Sequence, residues 1–139
     1  MARHQLLFTF VAMEKQIINT SKAPAPIGPY NQSVKVGNTL YVSGQIPIDP
    51  ASGELIKSGI VDEAHQSMKN LGAVLEAAGM DFRNIVKTTI FLTDMNTFPQ
   101  VNEVYGSYFS GDYPARETVQ VAALPKGVNV EISVIAVSF

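Results

Sequence analysis

The segment Val34-Lys35-Val36-Gly37-Asn38-Thr39-Leu40-Tyr41-Val42 sets two β-rich runs on either side of Gly37-Asn38. Gly and Asn tolerate the positive φ of a tight turn, so this spacing predicts an antiparallel hairpin with a two-residue connection. Downstream, a loop rich in Pro, Gly and Ser covers residues 47–59. Ile60, Ala64, Ser67, Met68, Leu71, Leu75 and Ala78 then recur at helical spacing, with Gly79 as the stop signal. Asp62 and Glu63 fall in the first turn, where the helix dipole favours negative charge. Residues 85–93 are β-branched and apolar enough for a strand buried largely on both faces. A second helix is expected next: Thr97 and Gln100 have capping-box spacing, Pro99 suits the first turn, and Phe98, Val101, Tyr105, Tyr108 and Phe109 form the apolar stripe. Two closing strands, at about 117–122 and 129–137, join across Leu124-Pro125-Lys126-Gly127. The order is ββαβαββ, with room for a short first strand near Ile17. Helices spaced between strands in this way predict an α+β domain with both helices on one face of a mixed sheet.

The composition bounds what such a domain does. Its 139 residues make one domain. Ten Lys and Arg stand against 12 Asp and Glu, a net charge of −2 that offers no field for phosphates and argues against nucleic acid as a partner. With no Cys, disulfides, thiolate catalysis and sulfur-ligated zinc are excluded. His4 and His65 are too few for an imidazole metal cluster, so no metal site is expected. No apolar run reaches the roughly 18 residues that span a bilayer, and no membrane partner is expected. Residues 1–13 differ from the rest, with Arg3 and His4 ahead of Leu6, Leu7, Phe8, Phe10 and Val11. They read as an N-terminal extension outside a domain of residues 14–139. The expected compartment is cytoplasmic, or mitochondrial if that extension is a targeting segment.

Charged residues make up only 16% of the chain, against the usual quarter. Val34, Val36, Leu40, Val42, Val119, Val121, Val130, Ile132 and Val134 are too many apolar strand residues for a sheet with one solvated face. Packing of sheet against sheet between copies of the chain is the expected solution.

Few residues are placed for chemistry, and no phosphate loop, nucleophile elbow or His-containing triad is present. Ile27-Gly28-Pro29-Tyr30 is a turn ending in a Tyr, which also reads as a packed ring. Ser43-Gly44 ends a strand, where a glycine can simply bend the chain. Arg116 leads into a strand beside Glu117, which also fits an exposed ion pair. Glu131 puts a carboxylate into a run otherwise apolar through Val137, either at a strand edge or as a functional group. If the last two strands form a hairpin, Glu131 lies opposite about Val119, some three residues or ~10 Å along from Arg116. That spacing fits a small anion and a water between the two, although Arg and Glu equally converge from different subunits.

Together, Ile27-Gly28-Pro29-Tyr30, Ser43-Gly44-Gln45-Ile46-Pro47, Val101-Asn102-Glu103-Val104-Tyr105 and Pro114-Ala115-Arg116 followed by Leu124-Pro125 and Val130-Glu131-Ile132 resemble the RidA/YjgF family of enamine/imine deaminases. The resemblance runs over about residues 14–139. It implies a chorismate-mutase-like α+β domain assembled as a homotrimer, with sites at the subunit clefts. It also implies hydrolysis of 2-iminopropanoate and 2-iminobutanoate, products of pyridoxal-phosphate-dependent dehydratases, to 2-oxo acids and ammonia, with no cofactor. By the same resemblance Arg116 binds the substrate carboxylate and Glu131 handles the attacking water and its protons. Tyr30, Ser43, Gly44, Thr118 and Asn102 complete the substrate-binding set. Thr118 stands where many bacterial members carry a cysteine, so switching through a thiol is excluded. Glu117 and Gln120 are polar residues near the expected mouth. Two other functions compete. One is an endoribonuclease or translation inhibitor, opposed by the net charge and the lack of a general-base histidine. The other is a non-catalytic binder or chaperone on the same fold.

Overall fold

The computed structural model describes residues 14–139; the extension expected at 1–13 lies outside the described residues. The chain forms β1 (Lys15–Ile18), β2 (Ser33–Val36), β3 (Thr39–Gln45), α1 (Ile60–Ala77), β4 (Ile85–Leu92), α2 (Phe98–Gly106), β5 (Ala115–Gln120) and β6 (Val130–Val137). The six strands make one mixed sheet in the order β1-β2-β3-β6-β4-β5. The hairpin forms as its sequence predicts, with Val36 opposite Thr39. Gly37 takes the positive φ of 59°, and Asn38 does not need one.

Both helices pack on one face of the sheet. Ala64, Met68, Leu71, Val74 and Leu75 of α1 and Val101, Val104 and Tyr105 of α2 meet Leu40, Val42, Ile90, Leu92, Val130, Ile132, Val134 and Ala136 in a single core. The strict alternation of buried and half-buried residues along β6 shows which side is which. The entry to α2 differs from the expected capping box. Thr97 makes no side-chain cap; Asp94 instead accepts from the Asn96 amide and caps a 3₁₀ turn, Met95–Thr97, that runs into the helix.

Other expectations change as well. The last two strands do not form a hairpin, because β4 lies between them: it pairs parallel to β5 and antiparallel to β6. The α2 crossover carries the chain to the outer side of β4, and β6 then returns into the gap between β3 and β4. β5 also begins two residues early, at Ala115, and ends at Gln120 opposite the last residue of β4. Finally, Leu40, Val42, Val130, Ile132 and Val134, counted as surplus apolar strand residues, face the helices. The open face nonetheless carries apolar residues beside its Lys87, Thr89 and Glu117. Ile17, Val34, Tyr41 and Ile135 follow one another across four of its strands, with Phe91 and Val119 four residues along, beyond Thr89 and Ser133. Ile17, Tyr41 and Val119 are 48%, 51% and 39% exposed, so β4 is covered on one side only within a protomer.

Candidate active site

The expected site residues fall into two groups. The first belongs to β5 and α2. Phe98, Asn102 and Tyr105 are spaced i, i+4, i+7, so they share one stripe of α2. The stripe faces Arg116, which pairs with Thr88 and therefore projects to the helix side. Arg116 Nη1 donates to Asn102 Oδ1 at 2.7 Å. The guanidinium carbon lies 5.3 Å from the centre of the Phe98 ring and 5.1 Å from that of Tyr105. Tyr105 is buried, and its hydroxyl donates to Thr88 Oγ1 at 3.0 Å. Burial holds this phenol above its ordinary pKa. Thr118, two residues past Arg116 on the same side, has a buried hydroxyl with no hydrogen-bond partner among the described residues. A cleft of about 470 Å³ opens beside this group, lined by Asn102, Tyr105, Gly106, Tyr113, Pro114 and Arg116. Larger clefts of about 770, 660 and 530 Å³ exist, around Arg83, Val86 and Phe139, around Glu63, Lys126 and Asn129, and around His65, Lys69 and Tyr108, but none of the expected site residues lines them.

The second group gathers around Glu131 at the start of β6. Glu131 alternates with the core residues Val130 and Ile132, so it projects to the open face. Burial alone pushes its carboxyl above the ordinary glutamate value of 4.5. The register between β3 and β6 slips between Val42 and Gln45, so Ser43 and Gly44 bulge opposite a single residue of β6. The glycine makes room for the acid: a Cβ at Gly44 would stand 2.7 Å from Glu131 Cδ. Ser43 is tied back to the β1–β2 loop, its Oγ donating to the Asn31 carbonyl at 2.6 Å and its amide to the Gln32 carbonyl at 2.9 Å. The neighbouring Tyr30 is 48% exposed, and its hydroxyl accepts from the Ile27 amide at 3.3 Å.

These groups do not meet within one protomer. Phe91 lies level with both Glu131 and Val119, which places the carboxylate at the expected height but two strands from β5. Two strand spacings and three residues amount to about 14 Å between the Arg116 and Glu131 α-carbons, and the side chains leave opposite faces of the sheet. The anion-and-water gap expected from a hairpin is thus absent within the protomer.

Glu117, beside Arg116 but on the other face, is an acceptor for Thr89 Oγ1 at 2.8 Å and pairs with Lys87 Nζ at 3.2 Å. The Thr89 and Lys87 contacts lower its pKa. Gln120 Oε1 accepts from the Met95 amide. Both are engaged in fastening the β4–β5 edge. The sequence pattern puts Phe98 and Tyr105 in the apolar stripe alone; the signal for their contact with Arg116 is the 98/102/105 spacing. Among the described residues, no three His, Cys, Asp or Glu side chains cluster as metal ligands, and no helix is long and apolar enough to cross a membrane.

Known proteins share this fold. A family model described as Endoribonuclease L-PSP matches residues 20–138. The mouse 2-iminobutanoate/2-iminopropanoate deaminase is 58% identical over 123 residues, covering 88% of this chain and 91% of that protein. The human protein of the same name is 53% identical, with coverage of 88% and 90%. Among solved structures, RidA from an Antarctic Psychrobacter species superposes with a TM-score of 0.86 at 49% identity, covering 88% of this chain and 99% of that one. Escherichia coli TdcF with bound serine gives a TM-score of 0.86 at 45% identity, with coverage of 89% and 99%. The mixed sheet with its two helices, the match over most of the chain and the identity to these relatives place the chain in the Endoribonuclease L-PSP family, that is, the RidA/YjgF family.

Proposed function

We propose that this protein hydrolyses reactive 2-imino acids, 2-iminopropanoate and 2-iminobutanoate, to 2-oxo acids and ammonia. The observation that carries the reading is the Arg116 guanidinium, bound through Nη1 to Asn102 and unpaired at Nε and Nη2 among the described residues. A planar fork with two free parallel donors suits a carboxylate. Mammalian relatives at 53–58% identity bear the name of this activity. The site is composite: Arg116, Asn102 and Thr118 of one copy face Glu131, Gly44, Ser43 and Tyr30 of another across a homotrimer cleft. The apolar residues of the open face and the unpaired outer edge of β5 are the surfaces such an assembly covers.

In the reaction, Arg116 holds the carboxylate and sets the carbon of the protonated imine, C=NH2+, before a water on Glu131. Glu131 takes a proton from that water as its oxygen bonds to the carbon, giving a tetrahedral carbinolamine. The same carboxyl returns the proton to nitrogen. The C–N bond then breaks, ammonia leaves, and the remaining hydroxyl proton passes to solvent as the C=O forms. A carboxyl raised by burial suits both halves of this transfer. Holding substrate and water together supplies much of the rate, since the imine carbon is already electrophilic. The domain performing this is residues 14–139, acting in the cytoplasm, or in the mitochondrion if residues 1–13 are a targeting segment.

The test couples purified protein to a serine or threonine dehydratase and follows 2-oxo acid release where free imine decays slowly. Acceleration is expected, together with a loss of at least about 100-fold in Arg116→Ala, as two charge-assisted hydrogen bonds at roughly 1.5–3 kcal/mol each disappear. The oligomer should persist in that variant. No acceleration over buffer by the native protein rejects the proposal, and salt-dependent RNA binding would favour the nuclease reading.

A further inference from the structure

Resting on the carboxylate-binding role of Arg116, we propose that Phe98 and Tyr105 are positioning residues. They form an aromatic cradle that fixes the plane of the Arg116 guanidinium and, with Asn102, leaves one defined donor edge to the substrate. An arginine on an edge strand ordinarily samples many rotamers, and ordering it on binding costs affinity. Here three restraints act from one face of α2. Asn102 Oδ1 occupies Nη1, and the rings of Phe98 and Tyr105 stand 5.3 and 5.1 Å from the guanidinium carbon. Both distances lie within the range in which a cation is attracted to the negative ring face.

The cradle is itself anchored. Tyr105 is buried and its hydroxyl is held by Thr88 Oγ1, on the β4 residue directly beside Arg116 in the sheet. Phe98 is half-buried and packs on the main core. One helix stripe therefore serves two purposes: its inner edge closes the core and its ring faces orient the guanidinium. Tyr105 is not a proton donor in this assignment, because its hydroxyl proton is committed to Thr88, away from the guanidinium. Asn102 likewise acts through Arg116.

The full-length protein is titrated with sodium 2-oxobutanoate, which has the carboxylate but no imine, and KM and kcat are measured in parallel. Phe98→Leu should weaken 2-oxobutanoate binding and raise KM by about 3- to 30-fold, the range of a lost cation–π contact, with kcat nearly unchanged. Phe98→Tyr should restore both values. Tyr105→Phe keeps the ring and should leave the pH profile of kcat unaltered. On an Arg116→Lys background, Phe98→Leu should add less than it does to the native protein. Should Tyr105 variants fail to fold, Phe98, at the half-buried rim, still decides. Native-like binding by Phe98→Leu, an equal loss on the Arg116→Lys background, or a shifted pH profile in Tyr105→Phe overturns the cradle. So does failure of the native protein to bind 2-oxobutanoate. Binding without imine hydrolysis would reject the proposed reaction and leave the cradle to be judged by the titration.

Discussion

Adding a single methyl group at Gly44 probes how closely the backbone must approach Glu131. A Cβ there would stand 2.7 Å from Cδ, 2.9 Å from Cγ and 3.0 Å from Oε1 of Glu131. Non-bonded carbons rest about 3.5–4.0 Å apart, so the carboxyl must retreat by about 1 Å. The φ of Gly44 lies outside the left-handed region, so alanine introduces no backbone strain. The atoms struck belong to a side chain on the open face, which turns aside at a cost below the ~1–3 kcal/mol of overpacking a closed core. Stability should therefore fall by less than about 1 kcal/mol, a few degrees in Tm. Activity should fall much further, because a misplacement of about 1 Å costs up to ~100-fold. Steady-state kcat/KM in the dehydratase-coupled assay, with Tm as the control, measures both. Combining Gly44→Ala with Glu131→Asp withdraws the carboxyl by one methylene and should recover part of the loss. Full activity in Gly44→Ala, or a Tm loss large enough to account for the activity loss, would refute the close approach as a catalytic requirement.

The other perturbations act on Glu131 and Thr118. Glu131→Gln should reduce kcat by about 10²–10⁴-fold through loss of proton transfer. Because burial raises the folded pKa, the native protein has full stability from this group below the ordinary value of 4.5 and loses it as pH rises through the folded pKa. The glutamine variant should consequently melt higher than the native protein at neutral pH, with the difference vanishing in acid; a constant offset at all pH values would contradict the burial effect. Activity of the native enzyme should fall on the acid side with a midpoint above 4.5, a limb absent from residual Glu131→Gln activity. Thr118→Val removes a buried hydroxyl that has no partner, so Tm should hold or rise, since an unsatisfied buried donor costs about 1–3 kcal/mol. KM should rise severalfold if the hydroxyl meets substrate, and an unchanged KM would remove Thr118 from the binding set.

The local elements were legible because their signals are local. The turn at Gly37-Asn38, the helical period through α1 and the apolar run of β4 each need only neighbouring residues to be read. The capping of α2 was misread because Thr97 and Gln100 have the right spacing, while Asp94, one turn earlier, makes the cap. The site was legible as a set of residue types: an arginine entering a strand, an acid in an apolar strand, and a glycine where the chain bends. Phe98 and Tyr105 were hidden because an apolar stripe carries the same pattern whether its ring faces meet leucine or a guanidinium.

Sequence by itself determined most of the secondary structure, the α+β class and the two charged groups on which the proposed chemistry rests, since helix and strand periods and isolated charges are properties of short segments. Tertiary structure alone decided that β6 enters between β3 and β4, because strand order depends on which backbone edges are free when distant segments meet. That one choice separates Arg116 from Glu131 by two strands and places them on opposite faces. The low charge content also takes its meaning from the tertiary structure, in which one sheet face closes on the helices and the other exposes Ile17, Tyr41 and Val119.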